Sequence, residues 1–99
     1  MTKTIYLTIT ESKNGVGDIW QENPTFDRDD AISSAVREWN HLTRMEQRKR
    51  HVYVGVYTVT VPDSDTRTAA QVYDEMNADD TFPYDCDVIE LPKEDEPDA

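Results

Sequence analysis

The chain has 99 residues, a net charge of −11 and a hydrophobic content of 36%, which predicts one domain with a single core. Residues 1–62 carry eight acidic and eight basic side chains, whereas residues 63–99 carry thirteen acids against only Arg67 and Lys93. A surface this acidic repels nucleic acid and anionic membranes, so the charge argues against direct binding to either and favours a basic partner.

Location and redox chemistry are limited by two further features. No segment approaches the roughly 18 apolar residues of a membrane span, and the first residues do not resemble a signal peptide. The one cysteine, Cys86, excludes an internal disulfide and a four-cysteine metal site. We therefore expect a cytoplasmic protein.

The first predicted elements form a β-hairpin. Residues 4–10 alternate between apolar and polar side chains, as a half-buried strand does. Asn14-Gly15 is a strong hairpin-turn signal, and a two-residue turn there would pair Ile9 with Trp20. The same register would place Glu11 opposite Asp18, which is unfavourable.

Two helices are expected next. Asp27 can cap a helix over residues 27–42, and apolar side chains recur on one face of that helix at Ile32, Ala35, Val36, Trp39 and Leu42. We expect Trp39 to be largely buried. Thr43 and Glu46 have the spacing of a capping box and predict either a short second helix or a kinked continuation of the first.

The second half of the chain contains the clearest strand. His51–Val61 is apolar on both faces, which is typical of an interior strand. A helix capped by Asp65 or Thr66 would follow, with Ala69, Val72, Tyr73 and Met76 on one side. A last, acidic edge strand is expected from Cys86 to Leu91.

These elements predict an α+β fold: a small, mostly antiparallel sheet in the order β-β-α-(α)-β-α-β, with helices packed on one face. The predicted domain spans residues 1–92, and residues 93–99 form a disordered acidic tail. Alternation assigns one sheet face, covered by the helices, to Ile5, Leu7, Ile9, Val52, Val54 and Val56. The other face would carry Tyr6, Tyr53 and Tyr57, with few helices to cover it; the sequence leaves open whether that face is exposed.

The sequence contains few candidate catalytic or metal-binding residues. The acidic run from Asp79 to Glu90 lacks the central glycine and the ligand spacing of an EF-hand. Cys86 lies between Asp85 and Asp87, whose charges oppose thiolate formation. The basic run Arg48-Lys49-Arg50 with Arg44 and His51 matches a helix C-terminus. We predict no catalytic, cofactor-binding or metal-binding residue and no cofactor.

We therefore expect a non-enzymatic, acidic protein-interaction module that binds a basic protein surface. In composition it is similar to accessory proteins of phages and mobile elements, some of which imitate nucleic acid to inhibit nucleic-acid-binding proteins. The predicted protein-binding residues are Asp74, Glu75, Asp79, Asp80, Asp85 and Asp87, helped by Tyr6, Tyr53 and Tyr57.

Two alternatives remain open from the sequence. The first is an adaptor or homodimerising domain that uses the tyrosine-bearing sheet face, with the acidity serving only solubility. The second is a small carboxylate-dependent enzyme or metal binder, which would require a concave acidic pocket.

Overall fold

The computed structural model describes residues 1–13 and 19–91. Its elements are β1 (Thr2–Ser12), β2 (Ile19–Thr25), α1 (Arg28–His41), α2 (Arg44–Lys49), β3 (Arg50–Thr60), α3 (Ala69–Ala78) and β4 (Asp87–Glu90). The four strands form one antiparallel sheet in the order β2-β1-β3-β4. The predicted α+β class and element order are confirmed. The predicted Asn14-Gly15 turn and the 93–99 tail lie outside the described residues.

Side-chain caps define the helix starts. Asp27 accepts hydrogen bonds from the backbone N–H groups of Asp29 and Asp30, at 2.9 and 3.2 Å, as predicted. Thr43 and Glu46 form the predicted capping box of α2. The start predicted for α3 was wrong, because Thr68 rather than Asp65 or Thr66 is its N-cap. No helix of the described ranges is both long and apolar enough to cross a membrane.

The helices lie on both faces of the sheet, which differs from the predicted one-sided arrangement. Ile5, Leu7 and Ile9 pack with Val72 of α3, whereas Val52 and Val54 pack with Ala31 and Ala35 of α1. The cause is the register of β1 and β3, which sets Leu7 opposite Gly55 and Thr8 opposite Val54. Residues directly opposite each other share a face, so the two apolar sets end on different faces.

The hairpin register also differs from the prediction by one residue. Trp20 pairs with Thr10 instead of Ile9, and Glu11 lies opposite Ile19 instead of Asp18. The shift avoids the unfavourable pairing of two acids and transfers Trp20 to the α1 face. A bulge follows where β2 has two residues, Asn23 and Pro24, opposite one of β1.

Each side of the sheet has its own core. On the α3 face, glycine is required at position 55, because a Cβ there would lie 2.5 Å from Cδ1 of Ile9 and 2.9 Å from Cε2 of Tyr57. On the α1 face, Trp39 packs against the small core but remains only half-buried, which is less than predicted. The α1 face is therefore the more thinly covered of the two.

A polar atom is buried in the middle of the sheet. The hydroxyl oxygen of Thr8 has no hydrogen-bond partner among residues 1–13 and 19–91. Since an unsatisfied buried hydroxyl costs about 1–3 kcal/mol, Thr8→Val should raise the free energy of unfolding by roughly that amount. Urea denaturation measures the change, with Thr58→Val, at an exposed position of β3, as the control. A destabilised Thr8→Val protein would contradict the expectation.

Candidate protein-binding surface

The six predicted carboxylates lie on α3 and on the chain that leads from it into β4. All six residues are exposed, and we refer to them as the acidic surface: Asp74, Glu75, Asp79, Asp80, Asp85 and Asp87. Asp74 and Glu75 lie within α3, and Asp79 is its C-cap. Asp87 is the first residue of β4.

An apolar anchor holds the connection between α3 and β4. Phe82 is buried, and its ring centroid lies 4.8 Å from those of Tyr57 and Tyr73. Asp80 adopts a positive φ of 57°, a conformation that Asp tolerates better than most residues, and so turns the chain after the helix. Phe82 points into the core, whereas Asp80 before it and Asp85 after it are exposed to solvent.

The acidic surface carries little compensating positive charge. Among residues 1–13 and 19–91, only the Glu75 carboxylate of this surface forms an ion pair, with Nη1 of Arg67 at 2.8 Å. Asp80 accepts a hydrogen bond of 3.2 Å from the Tyr84 hydroxyl. The other four side chains have no hydrogen-bond or ion-pair partner in the part of the chain that the structure describes. Their negative potential is therefore directed into solvent.

A shallow groove borders this surface. It has a volume of about 230 Å³ and is lined by Val56, Thr58 and Cys86 together with Asp85 and Asp87. The groove lies where β4, which pairs with Tyr53 to Val56, begins at Asp87, so that no described strand pairs with this edge of β3 beyond Val56. A partner side chain could enter between the two carboxylates.

Arg67 is the only basic residue between positions 63 and 91, and it is already paired. Besides Glu75, its Nε donates to both carboxylate oxygens of Asp65 at 3.0 Å. Hydrogen bonds from the Arg67 side chain and backbone lower the pKa of Asp65 from 3.8 to about 2. Arg67 therefore pairs with Asp65 and Glu75, and no other basic residue between positions 63 and 91 is present to pair with Asp79, Asp80, Asp85 or Asp87.

This pair leads to a pH prediction. Because its folded pKa is lowered, Asp65 stabilises the fold above about pH 4, and this contribution is lost as the pH falls towards 2. In Arg67→Ala, the pKa of Asp65 should return close to 3.8, as measured by the NMR titration of its side chain. Lys3→Ala should raise it much less, since the charge of Lys3 has the smallest effect on this pKa. An Asp65 pKa unchanged by Arg67→Ala would contradict this.

The structure does not bring the three predicted tyrosines together. Tyr53 and Tyr57 lie on the α3 face, and Tyr57 is only 3% exposed, whereas Tyr6 packs against the α1-side core. Burial is the largest cause that raises the pKa of Tyr53 to about 12, and it also raises the pKa of Tyr57. The expectation that the three tyrosines share one sheet face is thus wrong, because the register of β1 and β3 divides them between the α3 face and the α1 face.

A hydrogen-bonded bridge on the α3 face was missed by sequence analysis. The side chain of Gln21 donates to the Tyr57 hydroxyl at 3.0 Å and accepts from the Tyr73 hydroxyl at 2.8 Å. It therefore joins β2, β3 and α3. Only the shifted hairpin register, which sets Gln21 opposite Ile9, could have revealed it.

The predicted basic cluster is divided between a helix end and a strand. Arg48 and Lys49 occupy the last turn of α2, as the helix dipole favours. His51 is the second residue of β3 and lies between two carboxylates, with Nδ1 at 3.6 Å from Glu11 and Nε2 at 3.0 Å from Glu90. Across residues 1–13 and 19–91, no group of three or more His, Cys, Asp or Glu side chains is arranged to hold a metal ion. The His51 contacts therefore link β1, β3 and β4.

Comparison of the chain with protein-family models, with curated proteins and with solved structures gives no match.

Proposed function

We propose that this protein is a non-enzymatic module that binds a basic protein surface through its acidic surface. One observation carries the proposal: six exposed carboxylates follow one another along α3 and its connection to β4, and within the described part of the chain only that of Glu75 is paired with a cation. Evenly mixed surface charge would serve solubility equally well. An uncompensated run of acids on an anchored segment instead creates a directed negative potential.

The partner that fits best is a protein whose basic surface normally contacts nucleic acid. Carboxylates replace phosphates as ligands for Arg and Lys, and charge-assisted hydrogen bonds to them are among the stronger ones in proteins. The acidic surface is held by Phe82 and by the ends of α3 and β4 rather than by a loose tail. Such an ordered array loses less conformational entropy on binding, so it is suited to compete with nucleic acid for a basic cleft.

The tyrosine adaptor is not favoured by the structure. It required Tyr6, Tyr53 and Tyr57 on one open face, and Tyr57 is buried beneath Phe82. A homodimer cannot form directly through Tyr53 and Tyr57, because α3 packs on the sheet face that carries them.

The proposal is tested by capture of partners from a lysate of the native host on the immobilised protein, with elution by a salt gradient. We expect basic, nucleic-acid-binding proteins that elute as salt rises and that added DNA or RNA displaces. Captured proteins that resist salt and are unaffected by nucleic acid would contradict the mimicry.

A further inference from the structure

A second concave site lies on the opposite side of the sheet from α3. It is an open cleft of about 300 Å³ between the β1–β2 ladder, the end of α1, α2 and the start of β3. The predicted binding residues lie elsewhere, so this cleft is separate from the acidic surface. Its walls combine an aromatic ring, an aliphatic side chain, three carboxylates and one guanidinium.

The apolar wall is formed by Trp20 and Leu42. Trp20 is 40% exposed, a large exposed fraction for an aromatic side chain of this size. The guanidinium carbon of Arg50 lies 4.7 Å from the centre of this ring. A guanidinium group therefore already packs on this indole within the protein.

The floor of the cleft contains an unused hydrogen-bonding group. Thr10 is only 6% exposed and lines the cleft from β1, whose backbone is paired with strands on both sides. Its side chain thus faces the cleft, next to Trp20 across the β1–β2 pair. The Thr10 hydroxyl has no hydrogen-bond partner within residues 1–13 and 19–91. An unpaired hydroxyl on a residue that is only 6% exposed favours a ligand that can donate to it.

The net charge of the side chains that line the cleft favours a positively charged ligand. Three carboxylates, those of Glu22, Glu38 and Glu46, face a single basic residue, Arg50. Glu46 is ionised, because the hydrogen bond from the Thr43 backbone in the capping box lowers its pKa. Arg50 forms no ion pair of 4.0 Å or less with a carboxylate of the described chain. The lining therefore has net negative charge and acceptor oxygens that remain available.

We propose that this cleft binds a guanidinium-bearing side chain, an arginine of the basic protein partner. Its alkyl stem would pack on Trp20 and Leu42, and its planar head would donate to Glu22, Glu38 and the Thr10 hydroxyl. Arginine fits better than lysine, because its five donors lie in one plane and stack on aromatic rings. The inference rests on the proposed function for the identity of the partner, but it concerns a different surface.

The test is a titration of the folded protein with N-acetyl-L-arginine amide, followed by the indole N–H signal of Trp20 in NMR spectra. Trp20→Phe identifies this signal against that of Trp39. N-acetyl-L-citrulline amide is the matched neutral probe. We expect a saturable shift of the Trp20 signal with the arginine probe and at least about tenfold weaker binding of citrulline, the factor expected for a charge-assisted hydrogen bond.

Variants locate the binding. Glu38→Gln and Thr10→Val should each weaken arginine binding severalfold, whereas Thr10→Ser, which keeps the hydroxyl, and Asp74→Asn, on the acidic surface, should not. Native-like spectra of each variant confirm folding. No saturable shift, equal binding of citrulline, or binding unaffected by Glu38→Gln and Thr10→Val would overturn the inference. Because the probe is a small molecule, this result is independent of whether the acidic surface captures a partner.

Discussion

Neutralising the acidic surface is expected to reduce binding of the partner strongly, mainly by slowing association. Single exposed charges contribute little, but six together focus the potential and raise association rates by about 10- to 1000-fold. We expect the association rate to fall by about 10- to 100-fold at low salt, with little change in the dissociation rate. The six-fold variant replaces each acid by its amide at Asp74, Glu75, Asp79, Asp80, Asp85 and Asp87.

Surface plasmon resonance against the captured partner at several salt concentrations measures this effect. The matched control removes the same number of charges elsewhere, with amides at Asp29, Asp30, Glu94, Asp95, Glu96 and Asp98. If only net charge mattered, both variants would lose binding equally. A six-fold variant that binds as the original protein does would show that the acidic surface is not the binding site.

Truncation of Leu7 is expected to have the largest effect on stability. Leu7 is fully buried in the central strand β1, opposite Gly55 and beneath α3. Leu7→Ala removes apolar contacts and leaves a cavity that the sheet backbone cannot close, which costs about 2–5 kcal/mol. Since small domains have only about 5–15 kcal/mol of stability, the midpoint of thermal or urea unfolding should fall sharply.

Ile19→Ala is the control for this truncation, because Ile19 also lies in a strand but is largely exposed. It should change the free energy of unfolding by less than about 1 kcal/mol. Equal losses in the two variants would show that the α3-face core does not dominate the stability of the domain.

Local patterns in the sequence determined the secondary structure of this protein. The caps at Asp27 and Thr43 and the 3.6-residue apolar repeat of α1 act within a few residues, so they could be recognised without any tertiary information. The same holds for the period of two in β1 and β3. The exposure of the acids of the candidate site was also predictable, because ionised carboxylates stay in solvent unless they are paired.

Which side chains share each face of the sheet was decided only by the tertiary structure. Alternation shows which residues of one strand lie together, but not which face of the neighbouring strand they join, and a shift of one residue reverses the assignment. That register separated Tyr6 from Tyr57, placed Gln21 between two tyrosines and placed Trp20 beside Thr10. The cleft of the further inference arises from the same shift. It depends on contacts between β1, β2 and α2, whose relative positions are determined by long-range packing and not by any local sequence signal.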